Sequence, residues 1–379
     1  MRITFDVSPA VHRHAGLGRY ARELLTAMAA QDEVNEYAAF SHAPTADCPP
    51  DLLPDRVPLR TVPLSAKPWR MSVLLASLMG ISMDPWLPQG DIFHATEHLL
   101  PPLKKARTVF TLHDLIFQFF PEYHLPLNRA FLIHAMPRFL RRADAIIAVS
   151  ECTKRDAIHF YKLPADKITV IYEGVNPSLH PVNEEGVLAQ ARVRWTQGSP
   201  FILFVGTIEP RKNLIALVDA VRALRTRGYP HRLVIAGRKG WLYQGVFDHV
   251  RQTGLESQVD FLDFVAEEDL AALYGACAAF VFPSLYEGFG LPPLEAMACG
   301  APVICSNTSS LPEVVGDAAL LVNPRDVDEM AGAIERVLSD AALGEQLRAR
   351  GIAQAARFSW EGAARKTLSV YESLFKRGN

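Results

Sequence analysis

Short apolar runs alternate with helix-spaced apolar positions along the whole chain. In the first half, residues 3–7, 37–40, 57–62, 92–93, 108–112, 145–149 and 168–171 read as strands. A helix is expected from about Gly18 to Ala30, where apolar residues recur at a 3.6-residue period. The second half repeats the pattern more clearly. Residues 201–205 form a continuous apolar run, and then Leu214, Leu217, Val218, Val221 and Leu224 fall on one helical face that Gly228 ends. Strands follow at 233–236, 259–261, 280–282 and 302–305, with helices expected near 245–252, 270–276 and 326–338 and a short one before residue 302. Strands that alternate with helices predict parallel sheets covered on both faces.

A segment rich in glycine, proline and polar residues, YEGVNPSLHP at 172–181, separates the two periodic regions. The expected organisation is α/β, with two doubly wound Rossmann-like domains facing across a cleft. The boundaries are 1–175 and 176–358, and a C-terminal helix at about 359–379 packs back on the first domain. A chain of 379 residues has room for two domains of roughly 100–200 residues each.

Composition narrows the function classes. Hydrophobic residues make up 49% and charged ones 21%, an ordinary globular balance. The net charge of -2 gives no basic excess for nucleic acid. The five cysteines, Cys48, Cys152, Cys277, Cys299 and Cys305, are odd in number and include no C-x-x-C pair, so a reducing cytoplasm is expected. No run reaches the ~18 apolar residues of a membrane span.

In doubly wound sheets ligands bind outside the carboxyl ends of the strands, so the loops that follow strands are where chemistry is expected. The first such loop holds Gly206, Thr207, Arg211 and Lys212 and opens a helix. Two adjacent cations beside a helix N-terminus suit a diphosphate, the alternative being a solvated basic pair. The second runs from Ser284 to Glu295. Glu287 can accept hydrogen bonds from sugar hydroxyls. Gly288 and Gly290 expose backbone N–H groups beside Phe289 and Leu291, and Pro292 and Pro293 suit a helix start. Glu295, placed in the first helical turn, can bind a ribose diol, or can simply favour the helix N-terminus. His113 ends the run 108–112. A neutral imidazole there can donate to a sugar hydroxyl or serve a structural bond.

Gly16 and Gly18 fit G-x-G-x-x-A superficially, yet eight residues separate Val7 from Gly16, and no acidic residue ends the next strand. A dehydrogenase is therefore disfavoured, and a glycine-rich loop near phosphate or acceptor is expected instead. His94-x3-His98 lacks a third ligand, and no metal site is expected.

These loops in this order resemble glycosyltransferase family 4, the retaining enzymes of GT-B fold. Glu287 and Glu295 fit that family's E-x7-E signature, and GTIEPRKN at 206–213 and SLPEVVGDAALLVNP at 310–324 strengthen the match. The resemblance implies that Arg211 and Lys212 neutralise the donor diphosphate. It implies that Glu287, with the backbone of Gly288, Phe289 and Gly290, holds the transferred sugar, and that Glu295 binds the ribose. His113 would contact the donor sugar, Gly16 and Gly18 would lie near phosphate and acceptor, and the base would pack near Phe264 and Val265. Such enzymes work without a metal or other cofactor. Asp114, beside His113, is a further residue of interest.

The wording of 93–102 and 108–124 is similar to bacterial mannosyl- and rhamnosyltransferases of surface polysaccharide synthesis. That implies transfer of a hexose, mannose from GDP-mannose, to a lipid-linked saccharide. UDP-sugar donors and a non-catalytic nucleotide-sugar-binding protein remain the alternatives. The aromatic segment 117–123 either shapes the acceptor side or packs in the core. The apolar run 73–83 and the basic amphipathic stretch 128–142 raise the expectation of peripheral contact with the cytoplasmic face of the membrane.

Overall fold

The computed structural model describes residues 1–42 and 52–376; Cys48 and the last three residues of the expected C-terminal helix lie outside them. The chain divides into two compact units, Met1–Gly174 with Ser359–Asn379, and Val175–Phe358.

The N-terminal unit is built on seven parallel strands: β1 (Arg2–Asp6), β2 (Glu36–His42), β3 (Leu59–Val62), β4 (Ile92–Ala95), β5 (Arg107–Leu112), β6 (Ala145–Ala148) and β7 (Ile168–Val170). Their order is β3-β2-β1-β4-β5-β6-β7. Largely apolar segments form these strands because helices cover both faces of a parallel sheet, and Thr4, His94, Thr108 and Thr111 are among the polar positions buried in them. Phe40, Trp69, Phe93, Phe110 and Phe139 fill one side. The expected strand 57–62 begins two residues late. Pro58 has no N–H for the ladder, and only its carbonyl takes part, accepting from the Ala39 N–H at 2.9 Å.

Helix Ala15–Gln31 starts three residues before the expected Gly18 and buries Tyr20, Leu24, Leu25 and Met28. The C-terminal helix Trp360–Lys376 packs along it, burying Trp360, Ala363, Ala364, Thr367, Tyr371 and Leu374 on one face. Gly174 passes so close that a Cβ would lie 2.2 Å from the Trp360 nitrogen, so only glycine fits this crossing.

The second unit carries six parallel strands: β8 (Phe201–Val205), β9 (Arg232–Ala236), β10 (Val259–Leu262), β11 (Ala279–Phe282), β12 (Val303–Ser306) and β13 (Ala319–Val322), in the order β10-β9-β8-β11-β12-β13. The pattern of residues 319–322 had not marked β13 as a strand. It lies at the sheet edge and is only four residues long, too short for its apolar pattern to separate a strand from a buried helix segment.

Each sheet has one place where the strand order reverses. It lies between β1 and β4 in the first unit and between β8 and β11 in the second. Loops leaving these adjacent strands diverge and open a crevice at their carboxyl ends.

Candidate active site

In the second unit the two loops singled out in the sequence leave β8 and β11, the pair at the reversal. The backbone is tight at the end of β8. Gly206 has φ +152, and a Cβ on Gly237 would lie 1.9 Å from its carbonyl oxygen. Residues Pro210–Lys212 form one 3-10 turn, Asn213 takes a left-handed conformation, and helix Leu214–Thr226 follows.

That turn aims both cations at the second loop. Arg211 Nε lies 2.6 Å from Glu209 Oε1, and its Nη1 lies 2.7 Å from Glu287 Oε2. Lys212 Nζ lies 2.6 Å from Glu287 Oε1 and 4.8 Å from the centroid of the Phe282 ring. Arg211, Lys212 and Glu287 thus meet although 75 residues separate Lys212 from Glu287. Burial alone would raise the Glu287 carboxyl, but Arg211 and Lys212 outweigh it and hold it at about 2. Burial, and then Arg211, lower the Lys212 pKa, with Glu287 and Glu209 opposing.

Each oxygen of the Glu287 carboxylate is therefore held by one cation. The turn around it is pinned from the 308–310 segment. The Glu287 N–H donates to Ser309 Oγ at 2.9 Å, and Ser310 Oγ donates to the carbonyls of Glu287 at 3.0 Å and Phe289 at 2.6 Å. Gly290 has φ +119 and caps helix Leu291–Ala298, with proline in its first positions as expected. Gly288, Phe289, Gly290 and Leu291 are all buried.

Glu295 stands outside the expected first helical turn. It is the fifth residue of its helix, beyond the first turn, and the helix dipole gives it little. It is buried and accepts a hydrogen bond from the Tyr274 hydroxyl at 3.0 Å. Phe264 is 68% exposed, with the Arg238 guanidinium 5.0 Å from its ring centroid, while Val265 beside it is half-buried. Thr207 is half-buried and packs where a Cβ on Gly240 would come within 2.7 Å of its methyl group.

His113, Gly16 and Gly18 belong to the first unit. The two glycines do not form a loop. They lie in the first turn of helix Ala15–Gln31, because His14 is extended and its carbonyl accepts the Gly18 N–H at 2.8 Å. Gly18 faces the Pro9 carbonyl, 2.9 Å from where a Cβ would stand, whereas Gly16 has open space.

His113 directly follows β5 and is buried. Its Nε2 lies 2.9 Å from the Thr96 carbonyl, at the end of β4, and its Nδ1 lies 3.5 Å from Glu173 Oε1. Both nitrogens thus face acceptors within the unit. The Tyr20 ring stands edge-on to it at 4.8 Å. Behind it runs a buried chain: Tyr20 and Thr111 hydroxyls 2.8 Å apart, Thr111 and His94 Nε2 2.7 Å apart, His94 Nδ1 and the Tyr371 hydroxyl 2.5 Å apart. His94 is therefore spoken for by two hydroxyls. Among the described residues no three histidine, cysteine or acidic side chains gather as metal ligands. Asp114 accepts from the Ile116 N–H at 3.1 Å and does not reach over His113 as a bonded partner.

The reversal between β1 and β4 holds a second polar group that the sequence pattern did not reveal. His42 Nε2 lies 3.2 Å from Glu97 Oε1, and His12 Nε2 lies 3.0 Å from the His42 carbonyl. Burial, and then the Glu97 charge, push the Asp6 carboxyl up to about 7, although it accepts the Ser8 N–H at 2.9 Å. Within the segment 117–123 the two readings divide. Phe117 is in the core, Phe119 is exposed, and Phe120 and Tyr123 stack on each other at 5.5 Å.

Residues 14–179 match the family described as Glycosyltransferase Family 4, and residues 189–356 match Glycosyl transferases group 1. The chain is 35% identical to O-antigen chain mannosyltransferase B of Escherichia coli, covering 99% of this chain and 100% of that one. The chain belongs to glycosyltransferase family 4. This glycosyltransferase is also 36% identical over 277 residues to the serotype-specific mannosyltransferase WbdA of Escherichia coli, covering 71% of this chain and 34% of that longer protein. Sucrose-phosphate synthase from Thermosynechococcus elongatus superposes with a TM-score of 0.79 at 22% identity, over 100% of both chains, and shares the fold. The two parallel-sheet halves of the glycosyltransferase are those of the GT-B fold.

Glu173, Glu209, Glu97 and Tyr20 were not singled out in the sequence. Glu209 lay inside a recognised loop between Gly206 and Arg211, and that position was a usable signal. Glu173 sits in the segment read as a hinge, where a lone acid looks like solvated linker.

Proposed function

We propose that this glycosyltransferase moves mannose from GDP-mannose, with retention, to a hydroxyl of a lipid-linked saccharide in O-antigen-type polysaccharide synthesis. The full-length similarity to an O-antigen chain mannosyltransferase supports the sugar. The observation that carries the chemistry is the Arg211–Lys212–Glu287 cluster at the β8/β11 reversal. A diphosphate entering there meets two cations with part of their charge already offset. As the sugar leaves, the growing negative charge strengthens their pull, which lowers the barrier rather than merely tightening binding. These side chains take the electrostatic role a metal has elsewhere, so turnover is expected to persist in EDTA. In this reading Glu295 takes the ribose, the exposed Phe264 face takes the base, and the first unit serves the acceptor. The leaving phosphate itself accepts the acceptor proton on the same face.

The test is a thermal-shift panel of GDP, UDP and ADP with their sugars, followed by a transfer assay. A ligand that binds only the folded state raises its melting temperature, by roughly 2.7 kcal/mol of stability at a hundredfold excess over Kd. GDP and GDP-mannose are expected to stabilise and UDP not. A UDP response would replace the donor and keep the activity class. Release of nucleotide without an acceptor product would remove the transferase reading.

Membrane contact is part of the same proposal. Among the described residues no helix is long and apolar enough to cross a membrane. Helix Ala66–Met79 instead exposes Met71, Leu75, Leu78 and Met79 along one face. Helix Pro126–Arg142 lies beside it, through Arg70 to Asn128 at 2.9 Å and Arg142 to Ser77 at 2.8 Å, and exposes Leu127, His134, Arg138 and Arg141. Neither helix contains an acidic residue. An apolar face rimmed by arginine fits an anionic lipid surface, at about 1 kcal/mol per basic residue near it. Flotation with phosphatidylglycerol vesicles at low salt is expected to carry the protein upward. Its absence would end this part of the proposal.

A further inference from the structure

Both ring nitrogens of His113 face groups that only accept. Nε2 lies 2.9 Å from the Thr96 carbonyl, so it carries a proton there. Nδ1 lies 3.5 Å from Glu173 Oε1, an ion-pair distance between two buried side chains, 9% and 6% exposed. A neutral ring protonated on Nε2 would turn an Nδ1 lone pair toward a carboxylate, which is repulsive. A proton on Nδ1 makes the contact attractive. The ring cannot turn to escape this choice. Tyr20 stands edge-on to it, fixed through Thr111, His94 and Tyr371. The other titratable groups near the ring have different partners or distances. Asp114 accepts from the Ile116 N–H. Burial lowers the His98 pKa, Asp114 and Glu97 oppose this and the His113 charge adds to it, and burial and then the His113 charge push His94 down to about 3.

We propose that Glu173 is a positioning residue of the transfer reaction: it keeps the proton on Nδ1 of His113 and so fixes the ring's orientation and positive charge. This rests on the reading that His113 meets the donor sugar. Glu173 stands three residues after β7, and β7 is three strands from β4 in the sheet order, so the ends of β4, β5 and β7 converge on one ring. A carboxylate that orients a histidine holds the ring in one way toward the substrate it meets.

Three variants separate charge from shape. In Glu173→Gln the amide N–H can donate to an unprotonated Nδ1, so the ring stays in place and loses its charge. Glu173→Asp keeps the charge with a shorter reach. Nitrogen-15 NMR of histidine-labelled protein should show both His113 nitrogens protonated in the wild type and Nδ1 unprotonated in Glu173→Gln. The turnover of Glu173→Gln should fall about ten- to a hundredfold, by analogy with carboxylates that orient metal-bound histidines, with donor KM changed less than about threefold. Glu173→Asp should recover part of kcat. Wild-type kcat in folded Glu173→Gln, or an unprotonated Nδ1 in the wild type, overturns the proposal. His113→Ala distinguishes the underlying reading. If His113→Ala keeps full turnover, His113 has no part in the reaction and the reading itself fails. If His113→Ala loses turnover while Glu173→Gln does not, only the role of Glu173 falls.

Discussion

At Glu287 a buried carboxylate is held by Arg211 and Lys212, and the direction of its shift fixes how stability must respond to acid. The folded carboxyl titrates at about 2 against an ordinary 4.5. A depressed carboxyl adds stability that is fully present above the unfolded value and lost as pH falls through the folded one. Urea denaturation should therefore show the wild type well ahead of Glu287→Gln at pH 7, by about 3 kcal/mol, the scale for breaking a buried ion pair. The gap should shrink steadily from pH 4.5 toward 2. A gap that does not change with pH would mean that the amide costs packing and not charge. At this scale the sequence marked Arg211, Lys212, Glu287 and His113 because they sit where apolar runs end. It could not show Glu173, since nothing local distinguishes a buried acid in a Gly- and Pro-rich segment from a solvated one.

Helix Ala15–Gln31 shows how an element assigns different roles to the same residue type. Gly16 and Gly18 both lie in its first turn, yet one faces open space and the other the Pro9 carbonyl. Gly16→Ala should stabilise the protein by roughly 0.5–1 kcal/mol, since alanine restricts the unfolded chain and suits a helix. Gly18→Ala should destabilise it by about 1–3 kcal/mol, because backbone cannot move aside as a side chain can. Chemical denaturation of the two single variants checks this, and equal effects would contradict the packing described. Residues 201–205 were readable as a strand because both faces are buried and the run is unbroken. β13 was not, because four residues are too few for an apolar pattern to separate a strand from a buried helix segment. The helix start at Ala15 was missed for a related reason: glycines read locally as loop, and only close approach to Pro9 explains one inside a helix.

At the level of the whole molecule, the last helix returns to the first unit and completes it. Trp360 is fully buried in that unit, edge-on to Tyr20 at 5.9 Å. Trp360→Ala should cost about 3–5 kcal/mol. Hydrogen exchange should rise across Met1–Gly174 and the final helix, while Val175–Phe358 keeps its protection. Equal loss in both units would mean that they unfold as one. Several features were determined by the sequence alone: the α/β class, the parallel sheets and the loop motifs that place the chain in glycosyltransferase family 4. These are written locally, because burial on both faces imposes continuous apolar runs, and backbone conformation imposes glycine and proline at turns. Strand order is not local. That β8 lies beside β11, so that Lys212 reaches Glu287 across 75 residues, follows from how crossover helices pack on the sheet. The same holds for the convergence of β4, β5 and the end of β7 on His113. Only the tertiary structure decides which acceptor each of its nitrogens meets, because distance in space is set by packing and not by position in the chain.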